Sequence, residues 1–90
     1  MGKKMISNGQ IIQNLNPAIV AAEDLFALGM EYCMGKSVPQ NYIEAHKWFN
    51  IAALKGSESA RQYRYEISRE MSPRDIAEAQ RQARVVLTLH

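Results

Sequence analysis

The residues able to carry chemistry are few, and their spacing gives them little to do together. The histidines are His46 and His90, and the single cysteine is Cys33. Metal binding would need further Cys, His or carboxylate ligands at turn or helix spacing, and only Glu44 stands near His46 in the sequence. A nucleophilic Cys33 would need a base to take its proton, and no local motif places a histidine beside it. No P-loop, dinucleotide fingerprint or zinc spacing occurs anywhere in the chain. The expectation is therefore no catalytic residue, no cofactor and no metal. His46 reads as a surface histidine on the polar side of its helix, next to Lys47, and Cys33 reads as a packing thiol.

Charge narrows the partners. Eleven Lys and Arg against nine Asp and Glu leave a formal charge of +2, too little to argue for nucleic acid or a membrane surface. The lysines all precede Gly56 and the arginines all follow Ala60. Arg61, Arg64, Arg69, Arg74, Arg81 and Arg84 are interleaved with Glu66, Glu70, Asp75 and Glu78, many at i, i+3 or i+4. That pattern reads as a solvated face laced with ion pairs, still open to an acidic partner segment. A nucleic-acid surface would need a denser basic patch without the acids. A lone cysteine excludes an internal disulfide and fits a reducing compartment, so a cytoplasmic location is expected. The longest strictly apolar run, Ala18 to Ala22, is far too short to span a bilayer.

The elements follow from periodicity. Ninety residues suit one domain. Leu25, Leu28, Gly29 and Tyr32 recur at i, i+3, i+4, i+7, which is one face of a helix. Asn16-Pro17 supplies a cap and a first helical residue, so this helix is expected from Pro17 to about Met34. Ala45, Trp48, Phe49, Ala52 and Ala53 form the stripe of a second helix, Tyr42 to about Lys55. Between the two, Gly35 suits a left-handed cap. Pro39 disfavours helix at Val38, and Asn41 with Glu44 approximates a capping box. A joining segment this short makes the helices antiparallel. Ser57 can cap a third helix carrying Ala60, Tyr63, Ile67 and Met71. Ser72-Pro73-Arg74-Asp75 starts a fourth, with Ile76, Ala79, Ala83 and Val86 or Leu87 on one face. Residues 1–15 contain Ile11, Ile12 and Leu15, which read either as one short packed turn or as a flexible tail. Met5-Ile6 is too brief for the apolar core of a signal peptide.

Within residues 24–59 and just beyond, Leu28, Gly29, Tyr32, Gly35, Val38, Ala45, Trp48, Ala52, Ala53, Gly56 and Ala60 fall in one register. This series resembles the Sel-one-like repeat family, a branch of the tetratricopeptide superfamily. Asp24 stands where the family has Ala, Ser37 where it has a second loop Gly, and Asn41 where it has Asp. The resemblance implies an all-α fold: a tetratricopeptide-like helical hairpin with flanking capping helices, three to four antiparallel helices in all. Residues 57–88 would supply the C-terminal caps. The register does not continue into a second repeat, because its Leu-Gly pair would fall on Arg64-Tyr65. One repeat and a diverged half leave an apolar flank, which capping helices or a second copy must cover.

The same resemblance implies a binding scaffold or adaptor, and the lack of any catalytic motif points to no enzyme. In the superfamily the first helix lines a concave groove with the helix after the hairpin. Carried over, Glu23, Phe26, Met30, Cys33 and Met34 would line that groove, with Gln62, Glu66 and Arg69 as its neighbouring wall. Phe26, Met30, Cys33 and Met34 also form a second apolar stripe at i, i+4, i+7, i+8. A helix apolar on two faces meets two surfaces. Phe26 and Met30 could equally pack on the third helix or under the N-terminal segment, leaving no groove. The expected partner is a protein, offered as a peptide or a helix. Self-stacking into a homodimer is the second expectation; nucleic acid and membrane are not expected partners.

Overall fold

The computed structural model describes residues 16–89, four helices with no strand among them. Helix α1 spans Ala22–Met34, α2 Tyr42–Leu54, α3 Glu58–Ser68 and α4 Pro73–Leu89. The fold is all-α. Ile11, Ile12, Leu15 and His90 lie outside the described residues.

The start of α1 differs from the expectation. Asn16-Pro17 forms a turn, not the first helical residues. Oδ1 of Asn16 accepts from the Ala18 N–H at 2.9 Å, and its carbonyl accepts from the Ile19 N–H at 3.1 Å. Asn followed by Pro suits the first two positions of a β-turn as well as it suits a helix start. Nζ of Lys55 then donates to the Pro17 carbonyl, tying this turn to the end of α2. The chain runs extended through Ala21 (φ −64°, ψ 151°) before α1 begins, with Glu23 and Asp24 at its positive end.

The loop between α1 and α2 satisfies the last carbonyls of α1 in sequence. Gly35, at φ 70°, donates its N–H to Glu31 at 2.8 Å. Asn41 N–H reaches the Tyr32 carbonyl at 3.0 Å, and Nε2 of Gln40 reaches that of Cys33 at 2.9 Å. Ser37 donates to Oε1 of Glu31 at 2.7 Å, a contact that a glycine there could not make. Asn41 caps α2 by accepting from the Glu44 N–H at 3.1 Å. The reciprocal half of the capping box is replaced. The Asn41 N–H is already taken, and the Glu44 carboxylate accepts instead from Nε1 of Trp48 at 3.1 Å and pairs with Nζ of Lys47 at 2.9 Å. Ser57 and Ser72 cap α3 and α4 through the N–H groups of Ala60 and Asp75.

Helix α2 is the centre of the molecule. It packs on α1, α3 and α4, whereas α3 touches α1 lightly and α4 hardly at all. Its sequence allows this because apolar or small residues occupy most of its circumference: Ala45, Trp48, Phe49, Ile51 and Ala52 are fully buried. Leu25 of α1, Ala60 and Ile67 of α3 and Ala83 of α4 complete the core. Ala79 and Ala83 are the buried residues of α4, and their size lets that helix lie close on its neighbour.

Candidate functional site

A groove of about 490 Å³ lies between the C-terminal end of α1 and α3. Cys33 comes from α1, Gln62, Tyr63, Glu66 and Ile67 from α3, and Glu70 from the turn that follows. Three of the eight residues named from the sequence, Cys33, Gln62 and Glu66, meet here. The other five do not line it. Glu23 is exposed near the start of α1, and Met34 is 55% exposed at its end. Phe26 and Met30 are half-buried and pack on the core. The Phe26 ring lies 5.7 Å from both Phe49 and Tyr63 between centroids, so these aromatics form one cluster joining α1, α2 and α3. Arg69 is exposed, its guanidinium 5.8 Å from the Tyr65 ring centroid.

Sequence reading missed Tyr63, Ile67 and Glu70 as groove residues. Tyr63 and Ile67 stand on the core stripe of α3. Tyr63 is nevertheless 41% exposed, because α1 covers only part of that stripe. Glu70 lies beyond the helix, where periodicity carries no signal.

The chemistry of this groove is that of a surface, not of a nucleophile. Burial first, and the Glu70 charge second, push the Cys33 thiol up. A raised thiol keeps its proton at neutral pH and is a poor nucleophile. Among the described residues, no group of three or more His, Cys, Asp or Glu could hold a metal ion. Nor is any described helix long and apolar enough to cross a membrane.

His46 corrects a second expectation. It is 2% exposed, not a surface residue, and its Nδ1 meets no hydrogen-bond partner among the described residues. Lys47 is buried beside it. The face read as polar is covered because α2 is enclosed by neighbours on three sides. Burial and then the Arg64 charge hold the imidazole below its ordinary pKa, against a smaller upward pull from a backbone hydrogen bond. His46 lies in a second, larger groove of about 800 Å³ between α2, α3 and α4.

Two antiparallel helices joined by a glycine-capped loop, with α3 laid against them, define a helical hairpin of the tetratricopeptide-like class. Residues 22–57, which span this hairpin, match the family model described as Sel1 repeat. No curated protein and no solved structure matches the chain. Sel1 repeats generally mediate protein–protein interaction and are typically not catalytic.

Proposed function

We propose that this protein is a small non-enzymatic interaction module that binds a peptide or helix of a protein partner along the α1–α3 face. The observation that carries the reading is the groove at the end of α1. Its floor is apolar, from Cys33, Tyr63 and Ile67, and its rim holds Glu66 and Glu70 with no cation in the lining. Such a groove favours an apolar anchor flanked by basic residues. Met34, exposed at the helix end, extends the apolar surface with a flexible side chain. Glu23, Phe26, Met30 and Arg69 border the same broad face and belong to the proposal as its periphery. A cytoplasmic location goes with it, supported by the lone free thiol.

Selection from a displayed random-peptide library tests the reading. Enriched sequences should carry an apolar residue next to Lys or Arg, and Glu66→Lys with Glu70→Lys should abolish their binding. Failure to enrich any peptide, or indifference to both charge reversals, would reject it.

A homodimer is the second reading, favoured by a different observation. Ile19, Leu54, Leu87 and Leu89 are 81%, 68%, 40% and 73% exposed. Leu54 and Leu87 border one apolar depression with Pro17, Ala18 and Ile51. An open apolar patch at the end of a short helical array suits stacking on a second copy. Sedimentation across a concentration series should then reveal a dimer that Leu54→Glu dissociates; a monomer at every concentration would remove this reading.

A further inference from the structure

Helices α3 and α4 follow one another across a short turn, yet each packs on α2 and scarcely on the other. The space they leave is the groove of about 800 Å³. Its α2 side holds His46 and Asn50, its α3 wall Arg61, Arg64 and Tyr65, and its α4 wall includes Gln80. Donors dominate this lining. Arg64 gives one N–H of Nη1 to Oδ1 of Asn50, which fixes the guanidinium and leaves further N–H groups free to bind. Arg61 stands 3.4 Å from Glu58, but both side chains are mostly exposed, at 60% and 82%. An ion pair so exposed holds weakly and yields readily to a competing carboxylate. The buried His46, with Nδ1 unpartnered among the described residues, adds a polar group that the fold itself does not satisfy.

We propose that this groove binds an acidic peptide segment, whose carboxylates pair with Arg61 and Arg64 beside His46 and Asn50. Guanidinium groups take carboxylates through paired N–H bonds, and a guanidinium already held in place loses less freedom on binding. The charge of the molecule steers the choice. Gln62 borders both grooves, and on the other side of α3 the lining holds Glu66 and Glu70 and no cation. An acidic segment is repelled there and attracted here. Two arginines next to Glu58 are too few for a nucleic-acid backbone, which needs a longer run of cations. The site does not depend on the α1–α3 reading, since it uses different residues and the opposite charge.

The test is a fluorescence-anisotropy titration of the full chain with a labelled hexaglutamate peptide, with hexalysine and inorganic phosphate as comparison arms. Hexaglutamate should bind saturably and weaken with added salt. Arg61→Gln and Arg64→Gln should each weaken it about tenfold, the loss of one charge-assisted contact. The Arg61 side chain is mostly exposed and pairs with an exposed Glu58, so its variant should keep the fold even if Arg64→Gln loosens α3. On binding, the side-chain amide NMR signals of Asn50 and Gln80 should shift. The proposal is overturned if hexaglutamate does not bind saturably, if neither arginine variant weakens it, or if phosphate displaces it at equal concentration.

Discussion

A Cβ placed on Gly29 would stand 2.5 Å from Cδ1 of Phe49 and 3.3 Å from the Ala45 carbonyl oxygen. The Phe49 ring thus occupies the space that any other residue at position 29 would need. It cannot step aside cheaply, because it is fully buried and held at 5.7 Å from Phe26 and 5.8 Å from Tyr63 between ring centroids. The close approach of α1 to α2 rests on this fit of a glycine to an aromatic ring.

Gly29→Ala should therefore destabilise the protein even though alanine is the better helix former. Overpacking costs about 1–3 kcal/mol and the helix preference returns about 1 kcal/mol, so a net loss of up to about 2 kcal/mol is expected. Urea denaturation followed by circular dichroism measures it. A gain in stability would show that the α1–α2 contact is looser than the geometry described.

Trp48 is fully buried, and its Nε1–H donates to Glu44. Trp48→Ala should cost about 3–5 kcal/mol. Trp48→Phe keeps most of the packing and loses the hydrogen bond, so about 1–2 kcal/mol is expected. Equal melting temperatures for wild type and Trp48→Ala would contradict the central place of α2.

Much of this core was legible in the sequence. Leu25, Trp48, Phe49 and Ala52 announce themselves by helical spacing, and Gly35, Ser57 and Ser72 mark caps that the hydrogen bonds then use. The errors have physical reasons. Asn16-Pro17 serves a turn or a helix start equally well, and a tertiary bond from Lys55 goes with the turn. His46 looks polar and exposed in a two-helix hairpin, but α4 packs on α2, and a stripe pattern within α2 cannot announce that third neighbour. Of the residues lining the α1–α3 groove, Cys33, Gln62 and Glu66 could be named in advance. Tyr63 and Ile67 could not, because their spacing is that of core residues.

The buried His46 gives a pH dependence with a definite sign. Its folded pKa is lowered from the ordinary 6.5, chiefly by burial and then by Arg64. Folding thus favours the neutral ring. Its contribution is full above the ordinary value and declines as pH falls below it, because the unfolded chain then takes up the proton first. The urea midpoint should drop between pH of about 7.5 and 5.5, and His46→Gln should flatten that drop. Glu78 acts in a separate window. Hydrogen bonds from Arg81 and then Gln82 lower its pKa from 4.5 to about 2, so its effect appears only as pH falls through that interval. A carboxyl titration by NMR should find Glu78 well below the ordinary glutamate value of 4.5, and Arg81→Gln should return it towards that value.

Met30 is half-buried against the core, at the edge of the broad face proposed for the partner. Met30→Glu should leave the helical circular dichroism signal intact and weaken partner binding or self-association. Unfolding of the variant would place Met30 wholly with the core and remove it from the binding face.

The most direct measurement of the binding account is NMR shift mapping on the ¹⁵N-labelled full chain, titrated with a library-selected peptide that carries an apolar anchor and flanking lysines. The account predicts that the largest amide shifts fall on Cys33, Gln62, Tyr63, Glu66 and Glu70. Shifts centred on Leu54 and Leu87, or scattered with no focus on the α1–α3 groove, would contradict it.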